Sequence, residues 1–421
     1  MYQKTTLDNG IRVVTGNMPY ARSVTIGIYL ATGSRYENKQ EMGVSHFLEH
    51  ILFKGTEKRQ TAQELSEAIE GFGGILNGET DKELTVYWCK VARLHFPIAL
   101  DVLTDMIMRS KFDPVEIDKE RQVIIEEINR SKDSPAQEVD QITDEILWPG
   151  HPLGEDIAGT KEIVAAMTRD TMIDYMEHQY SPATAVFAIA GDVNHEEMVE
   201  AVIKATRDWR NRFQPRIYLP YKEQPNPRMR VLKKDTEQVH LCLALPGISL
   251  FDPRRFSLDL LNVVLGGGMS SRLFIEIREK LGLAYAIHSY IDHFLDSGAM
   301  IVYAGVDTKN VPIAVNAIIE QLARLKNDAV PEAELTKAKE LSKGRLLLRM
   351  EDSYAVSGWM GGQEILTGTI LTDEEVVAKI DAVTAKDIRS VAADLMDPAK
   401  LRLAVVGPVK DEQGLEKLLK L

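Results

Sequence analysis

Cysteine is nearly missing from this chain. Cys89 and Cys242 are the only two in 421 residues, and both lie in strand-like apolar runs, so no disulfide framework is expected. That poverty fits a reducing interior, and the expected location is cytoplasmic. No run approaches the roughly 18 apolar residues that a membrane-spanning helix needs, which argues against an integral membrane protein. The opening MYQKTTLDNGIRVV has no basic segment followed by an apolar stretch, nor an Arg- and Ser-rich composition, so no targeting segment is expected there. Basic residues are the minority charge: 50 Lys and Arg against 63 Asp and Glu leave a net charge of −13. That balance argues against nucleic acid and anionic membrane surfaces as partners, and it is compatible with cationic ligands.

What is present reads as an ordinary soluble globular chain, 44% hydrophobic and 27% charged. At roughly 150 residues per domain its length suggests two or three domains. The breakpoint is FQPRIYLPYKEQPNPRMR (213–230), with Pro215, Pro220, Pro225 and Pro227. Prolines that dense fit neither a helix interior nor a central strand, so this stretch reads as an extended connector. The expected domains are therefore 1–212 and 231–421.

The two halves repeat one pattern. The first reads as a strand at 23–33, helices at 43–54 and 62–71, a strand pair over 75–91, helices at 96–109, 114–131 and 168–179, and a strand at 185–193. The second reads as a strand at 238–247, helices near 254–265 and 270–280, a strand pair over 285–306, helices at 311–326 and 331–350, and a strand at 401–409. The fold class is thus α+β: two homologous domains, each a mostly antiparallel sheet covered by helices, joined by a proline-rich linker.

Only nine histidines occur, and two of them stand in HFLEH. On a helix, Val44, Phe47, Leu48, Ile51 and Leu52 form one apolar stripe, leaving His46, Glu49 and His50 together on the opposite face. Histidines one turn apart can grip a single metal ion, with Glu49 placed to take a proton from a water on it. The pair alone is equally compatible with a solvated polar face. A candidate third ligand comes from DPVEIDKERQVIIEEINR (113–130). There Glu120, Val123, Ile124 and Glu127 share a face, so two carboxylates lie beside apolar residues while Glu126 turns toward water. Two histidines and one carboxylate leave a tetrahedral zinc one open position, the arrangement of a catalytic site.

HFLEH followed by Glu127 resembles the inverted-zincin signature of the pitrilysin/insulinase metallopeptidases. Over nearly its whole length the chain is similar to their short two-domain branch, which includes the β subunit of mitochondrial processing peptidase. GVSHFLEHILFKGT (43–56), FGGILNGET (72–80), ERQVIIEEI (120–128), HPLG (151–154) and GGGMSSRLFIEIREKLGLAY (266–285) carry the likeness. The resemblance implies that His46, His50 and Glu127 bind one Zn2+ and that Glu49 is the general base. It implies that Glu120 orients a ligand histidine, and that Asn77 lies where substrate backbone is held beside an edge strand. One departure is Gly78, where the family usually has Ala. The implied activity is that of a zinc metalloendopeptidase acting on peptides or unfolded segments inside a chamber formed by a dimer. The alternative is a non-catalytic scaffold or partner subunit of the same fold.

In the second half the equivalent helix reads LLNVVL (260–265), with no ligand, so no metal is expected there. By resemblance, Arg278 and Tyr285 match an Arg and a Tyr that contact the scissile region and stabilise an oxyanion. In a homodimer they would act in trans, at the partner chain's zinc. Gly266 to Gly268 lack the Lys-Ser/Thr of a phosphate loop and read as a flexible or close-packed turn. His240, His288 and His293 read as structural.

Overall fold

The computed structural model describes residues 2–420. Its strands form two sheets. β1 (Tyr2–Thr6), β2 (Arg12–Asn17), β3 (Ser23–Leu30), β4 (Ile75–Thr80), β5 (Thr85–Ala92) and β6 (Ala185–Gly191) make the first, in the order β1-β2-β6-β3-β5-β4. β7 (Met229–Leu232), β8 (Gln238–Pro246), β9 (Ala284–His293), β10 (Gly298–Asp307) and β11 (Arg402–Val406) make the second, in the order β7-β11-β8-β10-β9. Only β2–β6 and β7–β11 run parallel; every other pairing is antiparallel. The duplication read from the sequence is present in the topology: β6, β3, β5 and β4 follow one another as β11, β8, β10 and β9 do. Each series ends in an open edge, β4 in one sheet and β9 in the other.

The chain divides into two compact units, and this differs from a contiguous split at 213–230. The first unit holds Met1–Ile128, Asp156–Leu219 and Leu347–Thr372, and the second holds Asn129–Glu155, Pro220–Leu346 and Asp373–Leu421. The physical reason is that both faces of each sheet are apolar and need cover. In the first unit one face packs on the helices Val44–Leu52, Ala62–Glu70, Phe96–Arg109, Arg169–Gln179 and His195–Ala205. Its other face, with Val14, Tyr29, Val186 and Ala188, is closed by Met360 and Ile365 of the helix Ser353–Thr367. In the second unit Val139, Ile142 and Ile146 of the helix Pro135–Leu147 lie against Cys242, Ala244, Ala404 and Val406. Each sheet is therefore completed by a helix from the other half of the sequence. Strand β6, buried at every residue, shows the double cover most plainly.

The proline-rich stretch is likewise not a bare connector. Within the first unit Arg216 binds Glu41 and Asp174, and the Arg35 guanidinium lies 4.2 Å from the Tyr218 ring centroid. Within the second, Tyr221 N–H donates to Asp296 and Asn226 bonds Arg402. Among the described residues no helix is long and apolar enough to cross a membrane.

Candidate metal centre

The helix Val44–Leu52 is set by its apolar stripe. Val44, Phe47, Leu48, Ile51 and Leu52 are all at most 1% exposed, and burying each stabilises by about 1.5–3 kcal/mol. With that face pinned, the half-buried His46, Glu49 and His50 are aimed at one place. The helix Pro114–Asp133 presents Glu127 to them, its own buried stripe being Ile117, Glu120, Ile124 and Ile128. Glu126 is exposed, as its position on the helix predicts. Val123 is not part of the packed face: it is 48% exposed, because the stripe advances by three and four residues and leaves 123 about 100° away from Ile124.

His46, His50 and Glu127 each offer one ligand atom, all within 4.8 Å of one another. Glu127 Oε2 lies 3.9 Å from His46 Nε2 and 3.7 Å from His50 Nε2. These separations exceed a hydrogen bond. They approach the roughly 3.3 Å between two donors that each stand about 2.0–2.1 Å from a tetrahedral zinc. The donor set, two imidazole nitrogens and one carboxylate oxygen, therefore fits zinc in chemistry, and its two carboxylate–imidazole separations stand within about 0.6 Å of that spacing.

The surroundings set the charge states. Burial, with His50 adding to it, lowers the His46 pKa to about 4, so the ring is neutral and free to ligate at neutral pH. His46 Nδ1 is buried without a hydrogen-bond partner. His50 is held differently, its Nδ1 lying 3.0 Å from Glu120 Oε2, while Lys54 Nζ sits 2.7 Å from Glu120 Oε1. Burial works to raise the Glu120 carboxyl, but the bonds from His50 and Lys54 outweigh it and hold it below the ordinary range. A carboxylate there keeps the proton on His50 Nδ1 and turns Nε2 toward Glu127. Glu49 is raised above an ordinary glutamate by burial, with the Thr80 hydroxyl bond to its Oε2 opposing.

Lys54 and Thr80 were missed in the sequence. Thr80 had a signal, since strand alternation puts it on the same face as Leu76 and Gly78. A Cβ at Gly78 would stand 3.0 Å from Glu49 Cγ and 3.1 Å from Phe53 Cε2, so this position flanks Glu49 itself. Asn77, exposed on the edge strand β4, has its Cβ on the opposite face, and its Oδ1 accepts the Gly78 N–H at 2.9 Å.

In the second unit Arg278 and Tyr285 stand together, the guanidinium 4.8 Å from the ring centroid. Tyr285 is 77% exposed, so it is not a packing residue. Arg278 belongs to a π-helix, Phe274–Lys280, rather than the ordinary helix expected over 270–280. A Cβ at Gly266 would meet Ser289 N at 2.5 Å, which makes the glycine turn close-packed. His240 bonds the Tyr303 hydroxyl, and His293 bonds the Ile248 carbonyl and Asp259. Among the described residues no second group of metal-binding side chains accompanies them.

Comparison with known proteins agrees with this division. The family model described as insulinase (peptidase family M16) matches residues 12–161, and the one described as peptidase M16 inactive domain matches 166–342. The uncharacterized zinc protease YmxG of Bacillus subtilis is 37% identical over 410 residues, 97% of this chain and 98% of that protein. An uncharacterized zinc protease of Streptomyces coelicolor is 35% identical, over 98% of this chain and 91% of its own. Among solved structures, a protease from Helicobacter pylori superposes with a TM-score of 0.90 at 22% identity, covering 97% of this chain and 99% of that one. A peptidase M16 inactive domain from Pseudomonas fluorescens gives 0.89 at 17% identity, covering 97% of this chain and 98% of that one. With a relative this similar along almost its whole length, the chain belongs to the pitrilysin/insulinase family of metallopeptidases, peptidase family M16.

Proposed function

We propose that this chain is a zinc-dependent endopeptidase acting on peptides or unfolded segments. One observation carries the reading: His46, His50 and Glu127 converge within 4.8 Å on the helix face that also holds Glu49. Those three residues would hold a zinc ion, which when bound would supply Lewis acidity. Glu49 takes the proton of the attacking water and passes it to the leaving amine, and the burial that raises its pKa makes it a better base near neutrality. The Thr80 hydroxyl engages Oε2 and leaves the other oxygen for that proton. Glu120, tied to Lys54, orients His50. An extended peptide adds to the open edge of β4, beside Gly78 and Thr80. Arg278 and Tyr285 supply a guanidinium and a phenol to the developing oxyanion, and in this reading they serve the site of the partner in a homodimer.

The test is hydrolysis of a quenched fluorescent peptide of about ten residues by the native protein and by Glu49→Gln, at matched zinc content. The expected result is a loss of at least a hundredfold in the variant with zinc retained, within the ~10²–10⁴ range of general-base catalysis. Equal cutting by both overturns the mechanism. Zinc binding without cutting by either favours a non-catalytic scaffold of the same fold.

A further inference from the structure

The helix that presents His46, Glu49 and His50 begins abnormally. The first amides of a helix have no acceptor inside it and are normally met by a side chain at the N-cap. Here the N-cap is Gly43, at φ 91°, which has no side chain to offer. Nor could it carry one, since a Cβ at that position would stand 2.5 Å from the Ala158 carbonyl oxygen. The helix end is also shut off from water, with Gly43, Val44 and Ser45 all buried.

The acceptors come instead from the loop six residues upstream. Glu37, 6% exposed, accepts the Gly43 N–H at 2.7 Å through Oε2 and the Ser45 N–H at 2.8 Å through Oε1. The intervening Val44 N–H goes to the Glu41 carbonyl at 2.8 Å. Beneath this cap the Ser45 hydroxyl bonds Tyr175 OH at 2.9 Å, which bonds Thr32 Oγ1 at 2.9 Å. No lysine or arginine pairs with Glu37 among the described residues, so when ionised it faces only the positive end of the helix. A buried carboxyl group gripping the Gly43 and Ser45 amides, on either side of Val44, restricts both the register and the tilt of the first turn.

We propose that Glu37 is a positioning residue of the metal centre: by binding both amides it fixes the turn on which His46 is the third residue, and so sets where His46 meets His50 and Glu127. This rests on the metal-binding reading above. Unlike His50, which Glu120 holds through its second nitrogen, His46 has no partner at Nδ1. Its position therefore depends on its helix, and the helix end depends on Glu37.

The test measures metal binding rather than turnover, in the full-length protein. Burial raises the Glu37 carboxyl to about 8 against the pull of its bonds to Ser45 and Gly43, so the work is done above that value, at about pH 9. Zinc affinity is read by competition with a chromophoric chelator, and the Co2+-substituted protein gives a visible absorption band that reports ligand geometry. Glu37→Gln, which puts an NH2 against one of the two amides, is expected to lower zinc affinity about tenfold, the lower end for outer partners of a metal ligand, and to shift the cobalt band. Ile189→Val, a core change in β6 far along the chain, is the control for general loosening and should leave the band in place. If Glu37→Gln does not fold, Glu37→Asp keeps the charge but shortens the reach, and a smaller loss of affinity with a smaller band shift is expected. Native affinity and an unshifted band in the folded variant overturn the role of Glu37 alone. A native protein that binds neither zinc nor cobalt overturns the metal reading and this inference with it.

Discussion

His46 sits in a setting far from that of a histidine in water. Burial takes its pKa from the ordinary 6.5 to about 4, with His50 adding to the effect. The folded, metal-free protein therefore resists protonation there, while the unfolded chain takes up a proton below pH 6.5. Stability is unaffected by this group above 6.5 and falls as pH drops from 6.5 to about 4, because the unfolded state binds the extra proton. The gap is worth roughly 3 kcal/mol at 1.36 kcal/mol per pH unit. Urea unfolding of the metal-free protein at neutral pH and near pH 4.5 should show that loss, and Glu37 and the carboxylates being unchanged, His46→Gln should lose correspondingly less. An equal acid loss in both proteins would place the effect elsewhere. That His46, His50 and Glu127 come together was legible from HFLEH and the later acidic helix, because spacing on each helix puts these side chains on one face. Thr80 and Lys54 were less so: each acts through a residue distant in sequence, Glu49 or Glu120, and nothing in the local pattern names that partner.

At the scale of elements, the apolar strands and the amphipathic helices were readable, and the helix that closes the first sheet was not. SYAVSGWMGGQEILT (Ser353–Thr367) carries three glycines, which lower helix propensity and blur its periodicity. The sheet explains at least one of them. A Cβ at Gly361 would fall 2.3 Å from the Tyr29 ring, and one at Gly27 would fall 2.5 Å from the same ring, so Tyr29 occupies space that the two glycines leave open. Gly361→Ala should destabilise by about 1–3 kcal/mol through overpacking, seen as a lower urea midpoint. Gly362→Ala, with nothing within 4 Å of its Cβ, should be neutral or stabilising by up to about 1 kcal/mol through helix propensity. Equal effects from the two would mean that contact with Tyr29 does not govern the site. The exchange of helices between halves was hidden for a related reason: an apolar strand such as β6 shows that both faces are covered, but not which segment covers them.

At the scale of the whole molecule, among the described residues one half of the duplication holds the candidate metal site and the other holds no such group. The counterpart helix Arg255–Gly266 buries Leu258, Leu261 and Leu265 and carries no histidine. What the second unit does carry is Arg278 and Tyr285 side by side, Arg278 partly buried and Tyr285 77% exposed. A guanidinium and a phenol set side by side make functional sense if they complete a site built elsewhere, and the proposed homodimer assigns them to the partner's. Mixing tests this without a structure of the dimer. Glu49→Gln chains lack the base but keep Arg278, and Arg278→Ala chains lack the guanidinium but keep Glu49. After equal mixing and random reassortment, half of the dimers are mixed. In each of these, one of the two sites pairs an intact Glu49 with an intact Arg278, so about a quarter of all sites should recover. Neither variant alone should show that activity, and the recovery should need subunit exchange. Recovery near a quarter would support action across the dimer, whereas none after demonstrated exchange would put Arg278 and Glu49 of the same chain in one site.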